Sequence, residues 1–74
     1  MYIVIELQVA ANGSVANIVT AHATVNEAYS KYHTILSAAA ISQVPIHSAT
    51  ILNQCGILIA NEFFDHRTPE QEGE

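Results

Sequence analysis

The segment Ser30–His33 holds the side chains of this sequence that are best suited to bind a small molecule. Lys31 is the only basic residue in the first 61 positions, and Tyr29 adjoins the segment. A lysine attracts an anion, while tyrosine and histidine rings stack on flat ligands and hydrogen-bond to them. One lysine alone is a weak site for a polyphosphate, but a homo-oligomer would duplicate it. The structural alternative is that Tyr32 belongs to the core and that Lys31 and His33 are solvated.

Other potentially reactive side chains show no spacing that indicates catalysis or metal binding. The four histidines have neither the helical i, i+4 spacing nor the close strand spacing of a zinc site; they are His22, His33, His47 and His66. A single cysteine, Cys55, cannot form an internal disulfide, and a cysteine nucleophile needs a histidine beside it. We therefore expect no metal, no cofactor and no catalytic residue, and we expect that the protein is not an enzyme.

Charge is unevenly distributed along the 74 residues. Seven acids and two basic residues give a net charge of −5, and five of the acids fall in the last 13 positions together with Arg67. The first 61 residues carry three charges only, which are Glu6, Glu27 and Lys31. Two basic residues exclude a surface that follows a long nucleic acid, and no apolar stretch approaches the roughly 20 residues that span a bilayer. We expect a cytoplasmic protein that buries part of its weakly charged surface against copies of itself.

Two strands joined by a tight turn are predicted at the start of the chain. Alternation predicts strands over Tyr2–Val9 and Val15–His22, and Asn12-Gly13 is typical of a two-residue type I′ turn. That turn would pair Val9 with Ala16 and would direct the aliphatic residues at positions 3, 5, 7 and 9 to the core. The opposite face would be half apolar, and we expect it to be the oligomer interface; its residues are Tyr2, Val4, Glu6, Val19 and Ala21.

The remainder of the body is predicted to contain one helix and a second hairpin. Thr24 and Glu27 form a capping box, which predicts a helix that ends near Ile41 or Ser42, with Glu27 and Lys31 paired one turn apart. Strands are predicted over 46–52 and 57–64. The sequence thus predicts an α+β fold of order ββαββ, an antiparallel sheet of two hairpins with one covering helix, in a single domain over residues 1–64. Residues 65–74 are predicted to be an acidic, disordered tail.

Several segments together resemble a group of phage proteins. They are YIVIELQ, the Asn-Gly turn, NEAYSKYHTILSAAAIS and VPIHSATIL, within residues 1–52. These segments look like short uncharacterised proteins of tailed phages and prophages of Firmicutes and gut bacteria. The resemblance implies a phage accessory protein, and small oligomeric phage proteins include sponges that sequester cyclic oligonucleotides or cyclic ADP-ribose derivatives used in host defence.

Two functions are compatible with these features. The first is a non-catalytic anti-defence sponge, a homo-oligomer that binds a small nucleotide-like anion at a subunit interface. The residues expected to bind that ligand are Lys31, His33, Tyr29, Tyr32 and Arg67. The second is a protein–protein interaction module that inhibits or bridges a host protein through its uncharged sheet face. A purely structural role is a third possibility. We expect the protein's main partner to be itself, as a dimer or higher oligomer, with a host protein as partner in the second case and with no long nucleic acid and no membrane involved.

Overall fold

A computed structural model describes residues 1–67 of the chain. The elements are β1 (Tyr2–Val9), β2 (Val15–His22), α1 (Val25–Ala40), β3 (Ile46–Asn53) and β4 (Leu58–Asp65). The predicted α+β fold of order ββαββ is therefore confirmed. No helix within residues 1–67 has the length and apolar character that crossing a membrane requires.

The four strands form one sheet in the order β2-β1-β3-β4, and every neighbouring pair is antiparallel. Because β1 is antiparallel to both of its neighbours, β2 and β3 run in the same direction. Helix α1 connects these two strands and crosses over β1 on one face of the sheet. We call that face the helix face and the opposite one the open face.

The first hairpin has a different turn from the one that the sequence predicts. Gly13 N donates to Ala10 O over 2.9 Å and Ala10 N donates to Ser14 O over 2.8 Å. The loop therefore contains three residues, and only Gly13 has a positive φ, of 88°. A type I′ turn needs a positive φ at Asn12 as well, so the predicted turn is wrong. The longer loop shifts the register by one residue, so that Val9 pairs with Val15 rather than with Ala16.

The predicted orientation of β1 is also wrong. Val4 is completely buried beneath the helix, and Glu6 on the same face is partly buried. Successive side chains of a strand point to opposite faces, so the aliphatic positions 3, 5, 7 and 9 belong to the open face. The helix thus covers the less apolar side of β1, and within residues 1–67 no layer covers the more apolar side.

Helix α1 begins where its sequence predicts. Thr24 caps it by accepting a hydrogen bond from Glu27 N over 3.2 Å. The stripe of Ala28, Tyr32, Ile35 and Ala39 is buried against Val4, Ala49 and Ile51 of the sheet. Three of these seven core residues are alanines, so the core between helix and sheet is thin.

The second hairpin and the end of the body follow the prediction within one residue. The Asn53 side chain accepts hydrogen bonds from Cys55 N and Ile57 N, and Gly56 takes a φ of 82°, which together close the turn. Strand β4 extends to Asp65, one residue into the predicted tail, and His66 N donates to Pro45 O over 2.7 Å. The rest of that tail, positions 68–74, lies outside the described residues.

Candidate functional site

The open face carries apolar side chains on all four strands. Paired residues on neighbouring strands point to the same face, so the register determines which residues belong to the open face. Strands β1 and β2 contribute Ile3, Ile5, Leu7, Val9, Val15, Asn17, Val19 and Ala21; β3 and β4 contribute Ile46, Ser48, Thr50, Leu52, Leu58, Asn61, Phe63 and Asp65.

Large side chains on the two outer strands of the open face are strongly exposed. Val15 and Val19 of β2 are 61% and 59% exposed, and Leu58 and Phe63 of β4 are 61% and 60% exposed. The aliphatic residues of β1 between them are partly buried only by their neighbours within the sheet. Several exposed apolar side chains on one face of a sheet are typical of an interaction site.

Asp65 is the only charged residue on the open face within residues 1–67, and it is neutralised. Arg67 donates to it from Nε over 2.9 Å and from Nη2 over 2.7 Å. These side-chain hydrogen bonds, with a backbone hydrogen bond from Arg67 N, lower the pKa of Asp65 from 3.8 to about 2. The pair lies at the end of β4, so the centre of the open face carries no charge.

The predicted interface residues do not share one face. Tyr2, Val4 and Glu6 lie on the helix face, where Val4 is fully buried, whereas Val19 and Ala21 lie on the open face opposite Ile5 and Ile3. The assignment of Val4 to an exterior surface is therefore wrong. Alternation along β1 correctly separates two sets of side chains, but it does not show which set the helix covers.

Three of the predicted ligand-binding residues form a cluster of rings on α1. The Tyr29 and His33 rings stack with centroids 5.9 Å apart, and Tyr32 meets His33 edge-on at 5.4 Å. His33 is exposed, whereas Tyr32 is 6% exposed and belongs to the core. Burial, together with the negative charge of Glu62 and with Tyr29, raises the pKa of Tyr32. Tyr32 is thus a neutral core residue, and the exposed ring of the cluster is that of His33, which stacks on the half-buried Tyr29.

Lys31 and Arg67 do not join this ring cluster. Lys31 and His33 are two positions apart on the helix, about 200° around its axis, so they point in different directions. The predicted pairing of Lys31 with Glu27 is not among the ion pairs of residues 1–67. The positive charge of Lys31 acts instead on Glu6, whose pKa it helps to lower. Arg67 binds Asp65 at the end of β4.

A hydrogen-bonded network beneath the end of α1 is the feature that sequence reasoning missed. His47 Nε2 lies 2.7 Å from Glu6 Oε2, and His47 Nδ1 lies 3.1 Å from Ser42 Oγ. Gln8 Nε2 also donates to Glu6 Oε2 over 3.0 Å. His47 alternates with the core residues Ala49 and Ile51 along β3, and this alternation is the sequence signal that would have placed its ring inside.

The charge state of Glu6 reflects both its burial and these partners. Burial alone would raise the pKa of Glu6, but hydrogen bonds with His47 and Gln8 and the positive charge of Lys31 outweigh it, so the pKa lies below its usual value. Glu6 is therefore a carboxylate at neutral pH, held inside the fold by hydrogen bonds.

The network contains a hydroxyl, an imidazole and a carboxylate, which is the composition of a nucleophilic relay. Its geometry is that of a structural network. The His47 side chain is 5% exposed and both of its ring nitrogens have partners, while Ser42 N donates to Ala39 O at the helix end. A cleft of about 440 Å³ lies nearby, lined by Gln8, Gln43 and mainly small or apolar residues. The network anchors the segment after α1 to the centre of the sheet.

Comparisons with known proteins give no family for this chain. No family model, no curated protein and no solved structure matches it. Among residues 1–67, no three histidine, cysteine, aspartate or glutamate side chains are grouped as a metal site.

Proposed function

We propose that this protein acts by binding rather than by catalysis, and that the open face is the surface with which it contacts another polypeptide. The observation that supports this proposal is the exposure of Val15, Val19, Leu58 and Phe63 on one uncharged sheet face. A single module of this kind suits a phage accessory protein that blocks or bridges another protein.

The chemistry of the open face favours a protein partner over a small polar ligand. Nucleotides require hydrogen-bond donors and positive charge, and the basic side chain that lies on this side of the described residues, Arg67, is bound to Asp65. The polar side chains within the sheet are few, and two of them satisfy each other, since Thr50 Oγ1 donates to Asn61 Oδ1 over 2.7 Å. A largely apolar surface is suited to pack against another apolar surface.

Site-specific photo-crosslinking in cells tests this proposal. Phe63, on the open face, is replaced with p-benzoylphenylalanine, and Thr34, exposed on the outside of α1, receives the same probe as the matched control. We expect a covalent protein adduct from position 63 at a yield at least ten times that from position 34. Equal yields from the two positions, or no protein adduct from position 63, would overturn the proposal.

Sequestration of a nucleotide-derived signal is the second candidate, and the stacked rings of Tyr29 and His33 support it. Their planes are inclined by 30°, and the exposed His33 ring offers a face on which a base can stack. Lys31 is the nearest basic residue in sequence, although it points away from this stack.

Calorimetric titration with a cyclic dinucleotide and with a cyclic ADP-ribose derivative tests the second candidate. If this site binds either probe, His33→Ala should weaken binding at least about fivefold, because one stacking contact is worth about 1–3 kcal/mol. Ser37→Ala, one turn further along the exposed side of α1, is the control and should leave binding unchanged. Absence of heat with both probes, or equal affinity in His33→Ala, would remove this candidate.

A further inference from the structure

The thin core of the single chain indicates what covers the open face. Between helix and sheet, Val4 and Ile51 are the largest side chains that are fully buried. One core of this size supplies about 3–5 kcal/mol, and oligomerisation is a common addition in domains this small. We propose that the open face packs against the open face of a second copy of this chain. This inference rests on the proposed function, because it names the polypeptide that the open face binds.

The charge of the open face permits this self-association. In a two-fold interface both copies contribute the same surface patch, so a face with net charge would repel its copy. Asp65 is compensated by Arg67, and the remaining residues of the face are uncharged. The acidic residues Glu6, Glu27 and Glu62 lie on the helix side of the molecule, away from the contact.

The area of the open face matches what a stable dimer needs. Each strand has eight residues. Four strands of this length, at about 4.8 Å spacing and about 3.3 Å per residue, cover about 500 Å². Two such faces in contact bury at least about 1,000 Å², which is the lower bound for a specific interface. The exposed side chains of β2 and β4 lie at opposite sides of the sheet, so contact over the whole face is required to bury both sets.

The resulting assembly would have four layers, in the order helix, sheet, sheet, helix. Facing sheets pack about 10 Å apart with their side chains interdigitated, so Ile5 and Leu7 at the centre of each sheet would form a second core. Both helices would lie on the outside. The two Lys31 side chains would then be on opposite outer layers, and they would not line a shared anion pocket.

Two adjacent residues of β2 provide a matched test by sedimentation and native mass spectrometry. Val19 is 59% exposed on the open face, and Ile18 is 53% exposed on the helix face of the same strand. The unmodified chain is expected to be a dimer at micromolar concentration. Val19→Glu should weaken the dimer by more than about 100-fold, because it places two unpaired charges in the contact. Ile18→Glu should leave the dimer unchanged.

A milder substitution at position 19 tests the same contact without adding a charge. Val19→Thr keeps the shape of the side chain and should weaken the dimer about tenfold, with the helical circular dichroism of the unmodified chain. A dimer that forms at micromolar concentration should be complete at about 100 µM. If the unmodified chain is still monomeric at that concentration, self-association is overturned. If Ile18→Glu and Val19→Glu weaken the dimer equally, contact between the two open faces is also overturned. The copies would then be joined by pairing of their β2 edge strands, in which both residues take part.

Photo-crosslinking separates this inference from the proposed function. An adduct at position 63 with twice the mass of the chain supports both. An adduct with a different protein, from a chain that is monomeric by sedimentation, overturns self-association and retains the open face as a docking surface. No protein adduct overturns both.

Discussion

Val19 of β2 lies directly opposite Ile5 of β1, and both side chains are on the open face. This pairing depends on the three-residue loop that ends at Gly13. With the predicted two-residue loop, Ile5 would face Thr20 instead. The Val19–Ile5 pair therefore joins an aliphatic residue of the edge strand to the central apolar row, and it makes the open face continuous across β1 and β2.

The two faces of the sheet should respond differently to truncation of one valine. Val4→Ala removes a fully buried side chain and should lower the free energy of unfolding by about 2 kcal/mol at every protein concentration. Val19→Ala should lower the melting temperature only where the dimer forms, since Val19 is exposed in the single chain. Thermal unfolding over a hundredfold range of concentration measures both effects. A concentration-independent loss of equal size at the two positions would contradict the assignment of faces.

Glu6 should make stability depend on acidity. Its pKa is below 4.5 in the folded chain, so protonation favours the unfolded state. The stabilisation is fully present above about pH 4.5 and is lost as the pH falls through the lowered folded-state pKa. Glu6→Gln should flatten that part of the curve of unfolding free energy against pH. Asp65→Asn is the comparison, because the pKa of Asp65 is about 2 and its contribution is lost at lower pH. An unchanged curve in Glu6→Gln would contradict the role of this carboxylate.

The contact between Glu6 and His47 should appear as an energetic coupling. Each of the variants Glu6→Leu and His47→Leu leaves the other member of the pair without this hydrogen-bond partner, which costs about 1–3 kcal/mol for a polar group inside the fold. The double variant removes both groups, so its destabilisation should be smaller than the sum by at least about 1 kcal/mol. Urea unfolding of the four proteins measures this coupling. Strict additivity would show that the 2.7 Å contact has no energetic role.

The first turn should tolerate only residues that accept a left-handed backbone. Gly13 has a φ of 88°, and a Cβ atom at this position would meet no other atom within 4 Å. Gly13→Ala should therefore lower the free energy of unfolding by about 1 kcal/mol through backbone strain alone. Gly13→Asn should cost less, because asparagine adopts a positive φ more readily. Chemical denaturation compares the two variants, and equal stability of Gly13→Ala and the unmodified chain would contradict the observed turn.

Much of the fold was predictable because its signals are local. The alternation over Tyr2–Val9, the capping box of Thr24 and Glu27 and the stripe that contains Tyr32 all depend on residues close together in sequence. The ring cluster was predictable in part, since Tyr29 and His33 are one helical turn apart. The Ser42–His47 and His47–Glu6 contacts were not, because they join a loop and two strands that only the folded sheet brings together.

The sequence by itself determined the elements of this protein and the weak charge of its body. Only the tertiary structure decided which face of the sheet the helix covers. Alternation divides β1 into two faces, and hydrophobicity suggests that the more apolar one is inside. The covered face depends instead on strand order and on the crossover from β2 to β3, which has a strong preference for one hand. That crossover places α1 over Val4 and Glu6, and it leaves Ile5 and Leu7 on the open face.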